Sequence, residues 1–168
     1  MNEKVVAYIT WGDRLLILSH PLHPEAEIQV PSGTVEEGEA PGDAVLREAQ
    51  EETGLVGLEI RSHLGSRDYD MSRFGAPGVQ RWQFYHLEFR GEAPERWRHC
   101  ELHPSDGSPG PIEFELSWVS FPDSVPQARG ALRGFYFPDR NQCLKIGPVD
   151  PGLSTALLCT GRALASVL

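Results

Sequence analysis

The sequence predicts a mixed α/β domain: strands, one sharply bounded helix, more strands, and a closing helix. Three observations carry this. First, the segment Pro41–Thr53 lies between Pro41 and Gly54. Proline suits the first helical position, where its missing N–H is not needed, and glycine suits the left-handed position that ends a helix. Second, Ile112–Ser120 alternates, with Ile112, Phe114, Leu116 and Trp118 on one face and Glu113, Glu115 and Ser117 on the other. That is the period of a half-buried strand. Third, strand and helix patterns do not alternate regularly and no internal repeat is visible, which argues against a βαβ array. At 168 residues the chain is expected to be one domain, 1–168. Such a domain buries ~68–70% of its unfolded surface without help from disulfides or a structural metal.

The elements follow in order. Lys4–Ile9 and Arg14–Ser19 are apolar and β-rich, and Trp11-Gly12-Asp13 breaks them as a turn would. Pro21, His23 and Pro24 make a loop; Ile28–Val30 reads as a short strand stopped by Pro31, and Pro31–Glu39 reads as a loop. After the helix come a strand at Leu55–Leu64, a polar loop at Gly65–Gly78 and a long aromatic strand at Val79–Phe89. In that strand Trp82, Phe84 and Tyr85 are expected in the core. The stretch 91–111, rich in Pro, Gly, Ser and Trp, reads as an insertion with a short strand near Arg98–Leu102. Ser124–Leu132 has helical character, Phe135–Pro151 fits no element, and Leu153–Leu168 reads as a helix docked on the core.

Composition excludes several classes. Lys plus Arg number 15 against 24 Asp plus Glu, a formal net charge of −9. Such a chain is a poor binder of long nucleic acid or of an anionic membrane. A phosphate substrate stays open, because a divalent cation can sit between carboxylates and phosphate. The three cysteines, Cys100, Cys143 and Cys159, are odd in number and widely spaced, so the expected setting is a reducing cytoplasm. His99, Cys100 and His103 lie close together, but no second ligand pair at zinc spacing accompanies them. The N-terminus shows no signal-peptide pattern, and no apolar stretch reaches the ~20 residues needed to span a bilayer.

The chemistry is concentrated in Pro31–Leu55. Arg47, Glu48, Glu51 and Glu52 form R-E-x-x-E-E on the helix. Glu48 stands at i,i+3 from Glu51 and i,i+4 from Glu52, so the three carboxylates share a face. Such a face is either merely solvated, with Arg47–Glu51 as an i,i+4 pair, or a site for a hard cation such as Mg²⁺, which takes oxygen ligands and bridges carboxylates to phosphates.

With its flanks the pattern reads G-x5-E-x7-R-E-A-x-E-E-x-G-L, from Gly33 to Leu55. This resembles the signature box of the Nudix (MutT-like) hydrolases. The resemblance implies a Nudix-type α/β/α sandwich with a curved mixed β-sheet, in which the box forms a loop–helix–loop that presents the glutamates. It implies hydrolysis of a nucleoside diphosphate linked to another moiety, by water attack on phosphorus, with Mg²⁺ or Mn²⁺ as cofactor. By the same resemblance Glu51 and Glu52 are the main metal ligands. Glu48 is a further ligand or the base for the attacking water. Arg47 and Glu39 hold the cluster, Gly33 permits the tight loop, Gly54 ends the helix, and the Ser32 carbonyl is a candidate ligand. Ser32 replaces the first glycine of the usual pair, and Ala40 stands where a capping Ser or Thr is common; the second change weakens the helix start by ~1 kcal/mol.

Family members often take another acid from a later loop or strand. Glu113 is the first candidate here and Glu115 the second. Downstream of the box, the proline of ADP-ribose pyrophosphatases is absent, and Tyr69 lies near the tyrosine place of dinucleoside polyphosphate hydrolases without occupying it. The substrate is therefore open. Arg67 and Arg73 could contact phosphate, and Tyr69 or Phe74 could stack on a base, or all could be ordinary loop residues. The insertion, with Arg96, Trp97, Arg98, His99 and His103, could form a lid, a homodimer contact, or neither. Competing readings are a nucleotide sensor, though sensors of this fold usually lose box glutamates, and an isoprenoid diphosphate isomerase, which needs a cysteine near the strand before the box. The first cysteine here is Cys100.

Overall fold

The computed structural model describes residues 2–23, 28–74, 77–102, 104, 111–120, 135–136 and 145–146. The expected helical segments at Ser124–Leu132 and Leu153–Leu168 lie outside the described residues. The elements are β1 (Asn2–Trp11), β2 (Arg14–Ser19), β3 (Ser32–Thr34), α1 (Pro41–Thr53), β4 (Leu58–Asp70), a 3-10 turn (Met71–Phe74), β5 (Val79–Phe89), β6 (Arg96–Glu101), β7 (Ile112–Ser120), β8 (Phe135–Tyr136) and β9 (Lys145–Ile146). Seven strands form one open sheet in the order β4-β5-β1-β2-β7-β6, with β3 joined to β1. The β1–β5 pair is parallel and its neighbours are antiparallel, so the sheet is mixed. The short strands β8 and β9 pair separately.

Strand β1 explains the two-sided core. Val5, Val6, Ala7, Tyr8 and Ile9 are all buried, the near-continuous apolar run of a strand covered on both faces. Val5, Ala7 and Ile9 pack with Ala44, Val45 and Ala49 of the helix and with Leu87, Phe114 and Leu116. Val6 and Tyr8 pack on the opposite face with Leu15, Ile17, Trp82 and Phe84.

Two expectations are corrected. The strand placed at Ile28–Val30 reduces to a bridge between Gln29 and Leu18, while Ser32–Thr34, expected as loop, is strand β3. Pro31 has no N–H to give a ladder, but its carbonyl accepts from Ala7 N (2.8 Å) and starts the pairing with β1. Similarly, β4 does not stop at Leu64. It runs to Asp70 through irregularities between Ile60 and Ser62 and between His63 and Gly65, and pairs with β5 as far as Asp70–Val79. Gly65, at φ 138, takes the conformation that lets the strand continue past the shift. An Asp68–Arg81 ion pair (2.7 Å) and Tyr69 against Trp82 (5.0 Å between rings) hold the extension.

The site is positioned by a divergence in the sheet. Strands β1 and β2 share a hairpin end at Thr10–Leu15 and Trp11–Arg14. Away from it, β1 pairs with β3, while β2 pairs with β7 along its whole length. The segment from Gln29 to Thr34 bonds first to β2 and then to β1 across this opening, and α1 packs against it.

Candidate active site

Helix α1 has no side-chain N-cap: Ala40 holds the cap position with extended backbone. Gly54 closes the other end at φ 72, its N–H donating to the Gln50 carbonyl (2.8 Å). The buried face is Ala44, Val45, Glu48, Ala49 and Thr53. Glu48 is therefore a carboxylate on the core side of the helix, 1% exposed.

A buried carboxylate needs partners. Glu48 Oε1 accepts from the Thr34 N–H (3.0 Å) and from Arg47 Nη1 (3.0 Å). Gly33 lies directly against it: a Cβ built there would overlap the Glu48 carboxyl group. The requirement at Gly33 is thus close approach rather than positive φ. Gly33→Ala is expected to displace Glu48 or part β3 from β1. The expected loss is ~1–3 kcal/mol of stability, read by thermal melts.

Arg47 ties the cluster together. Its Nε and Nη2 donate to the two oxygens of Glu39 (2.9 and 2.8 Å), and Nη1 reaches Glu51 Oε2 (3.0 Å) as well as Glu48. Nη2 also donates to the Thr34 carbonyl (3.0 Å). The hydrogen bond from Arg47 holds the Glu39 carboxyl below the usual carboxylate range. Glu52 Oε2 accepts from the Ser32 N–H (2.8 Å). Burial, and then the nearby Glu101 carboxylate with a smaller part from Glu48, push the Glu52 carboxyl well above that range.

One oxygen each of Glu48, Glu51 and Glu101 lie within 4.8 Å of one another. Three hard oxygen donors so close, with Glu52 beside them, suit a hard divalent cation. Glu101 had no signal in the sequence beyond its alternation with Trp97 and His99, and it was not among the candidates. Glu113, the first choice for the later acid, bonds Arg98 Nη1 (3.0 Å). It follows Ile112 on β7 and lies on the sheet face away from the helix-side core. Glu115 lies 3.9 Å from Arg98. The acid that pairing brings to the helix is Glu101, opposite Ile112.

The weaker substrate candidates are elsewhere. Tyr69 packs at a tilt against Trp82, with the Arg67 guanidinium 5.4 Å from its ring. Both lie on β4, not at the carboxylate cluster. Arg73 belongs to the 3-10 turn, and its side chain lies outside the described residues. In the trio His99, Cys100 and His103, Cys100 is exposed, His99 bonds the Glu51 carbonyl, and His103 lies outside the described residues. Among the described residues no helix is long and apolar enough to cross a membrane.

A family model for the NUDIX domain matches residues 2–136. Nudix hydrolase 25 of Arabidopsis thaliana is 42% identical over 53 residues, a match covering 32% of this chain and 30% of that protein. Among solved structures, a MutT NUDIX hydrolase from Burkholderia pseudomallei superposes with TM-score 0.50 at 23% identity, over 75% of this chain and 87% of that one. A NUDIX hydrolase from Nitrosomonas europaea does so with TM-score 0.50 at 21% identity, over 71% and 72%. These two share the fold. The box folds into β3, a loop and α1 with its carboxylates gathered, and the family model spans most of the sequence: the chain belongs to the NUDIX domain family.

Proposed function

We propose that the protein is a metal-dependent pyrophosphohydrolase, acting on a small nucleoside diphosphate linked to another moiety, in the cytoplasm. The observation that carries this reading is the convergence of Glu48, Glu51 and Glu101 within 4.8 Å, backed by Glu52. Glu51 and Glu52 are assigned as the main ligands of Mg²⁺ or Mn²⁺, Glu101 as the additional acid in place of Glu113, and the Ser32 carbonyl as a further contact. A bound divalent cation would neutralise the nonbridging phosphate oxygens and lower the pKa of the attacking water. Glu48, sealed by Arg47 and Thr34, either adds a ligand oxygen or takes the proton of that water. Arg47 and Glu39 fix the carboxylates' spacing, and the whole chain acts as one domain, with 91–111 supplying β6.

The test is a phosphate-release screen with Mg²⁺ or Mn²⁺ over nucleoside triphosphates, dinucleoside polyphosphates, ADP-ribose, nucleotide sugars and coenzyme A. Cleavage abolished by EDTA and restored by metal supports the reading. Metal-dependent binding without cleavage would favour a nucleotide sensor instead. A paired comparison checks the acid assignment. Glu101→Gln should weaken Mn²⁺ binding and lower kcat by ~10–100-fold, whereas Glu113→Gln should leave both near wild type. The reverse order would return the role to Glu113.

A further inference from the structure

Strand β6 meets the end of α1 through three alternate residues. Trp97 Nε1 donates to the Thr53 carbonyl (2.9 Å). His99 Nε2 bonds the Glu51 carbonyl (2.9 Å); a carbonyl only accepts, so the proton sits on Nε2. Glu101 reaches the carboxylate group. The period of two places all three on one face of the strand. The carbonyls of Glu51 and Thr53 belong to the last turn, where no intrahelical donor is available. Gly54 makes room for this docking, since a Cβ there would stand 2.8 Å from His99 Nδ1.

We propose that β6 is the positioning strand of the site. His99, assisted by Trp97, grips the helix end that carries Glu51 and Glu52 and holds it in register with Glu101 of the same strand. The inference rests on the hydrolase reading above. His99 touches no reacting atom; it acts through the Glu51 backbone. A strand anchored two residues from Glu101 fixes the distance between that carboxylate and the helix, which a free loop would leave variable. Of the insertion residues left open between a lid, a dimer contact and neither, Trp97 and His99 are, on this account, part of the site's frame.

The experiment is a series at position 99, with kcat, KM and Mn²⁺ affinity by electron paramagnetic resonance measured for each folded variant. His99→Ala should weaken Mn²⁺ binding and lower kcat by ~10–100-fold with little change in KM. His99→Gln, whose amide N–H falls near the Nε2 position, should restore most of both. His99→Asn, whose amide falls near Nδ1, should not. Trp97→Phe keeps the ring and loses the donor, and should shift Mn²⁺ affinity in the same direction by a smaller factor. Equal behaviour of the Gln and Asn variants, or wild-type Mn²⁺ affinity and kcat in His99→Ala, would overturn the positioning role alone. Wild-type protein that binds no Mn²⁺ and cleaves nothing would sink the hydrolase reading, and the positioning role with it.

Discussion

Glu52→Gln is expected to lower kcat by orders of magnitude, as loss of a metal ligand should, without lowering the melting temperature of the metal-free protein. The Ser32 N–H that donates to Glu52 Oε2 can donate equally well to a Gln amide oxygen, so the loop stays anchored. What the substitution removes is a negative charge already disfavoured by burial and by the carboxylates of Glu101 and Glu48. Relieving that repulsion should hold or raise stability without metal, while a proposed ligand for the cation is lost. Melts with and without Mn²⁺ separate the two effects. On the proposed reading the ion binds the folded state, so wild-type protein should gain stability on adding metal; the variant should gain much less. Near-normal kcat in Glu52→Gln would remove the assigned role, and a large drop in metal-free stability would mean that Glu52 is structural.

Much of this site was legible in the sequence because its residues are local. Arg47, Glu48, Glu51 and Glu52 sit within two turns, and helix geometry alone gathers them. Pro41 and Gly54 mark ends that the structure places at the same residues. Strand β7 was equally plain, because one face is core and the other polar. What stayed hidden depends on partners far away in the chain. β3 is three residues that pair because β1 and β2 diverge, and its composition, Ser-Gly-Thr, has no apolar face to announce it. The extension of β4 to Asp70 is held by cross-strand contacts with β5, and its polar residues look like a loop when read alone. Glu101 is the clearest case. It lies 49 positions beyond Glu52 and reaches the helix only because β6 adds to the edge of β7 in one register. A shift of that register by one residue would turn Glu101 away and present Cys100.

Arg47→Ala should be the most damaging single change to the folded protein. Each of the five N–H bonds of the guanidinium has an acceptor: two on Glu39, one on Glu48, one on Glu51 and one on the Thr34 carbonyl. Truncation takes the Arg47 cation away from the Glu48 carboxylate, whose side chain is 2% exposed, while the Thr34 N–H still donates to it. Breaking a buried pair from one side costs ~3–5 kcal/mol. The lower end is expected, because the Arg47 side chain is 25% exposed and water can follow the lost group. Arg47→Lys separates charge from geometry. A lysine restores a positive charge but has three donors on one nitrogen and cannot form the two-pronged contact with Glu39 while reaching Glu48 and Glu51. It should therefore recover part of the stability in urea melts and little of the activity, with kcat still ~10–100-fold below wild type. If lysine restored both, the planar fork would be unnecessary, and Arg47 would serve the cluster as a counter-charge alone.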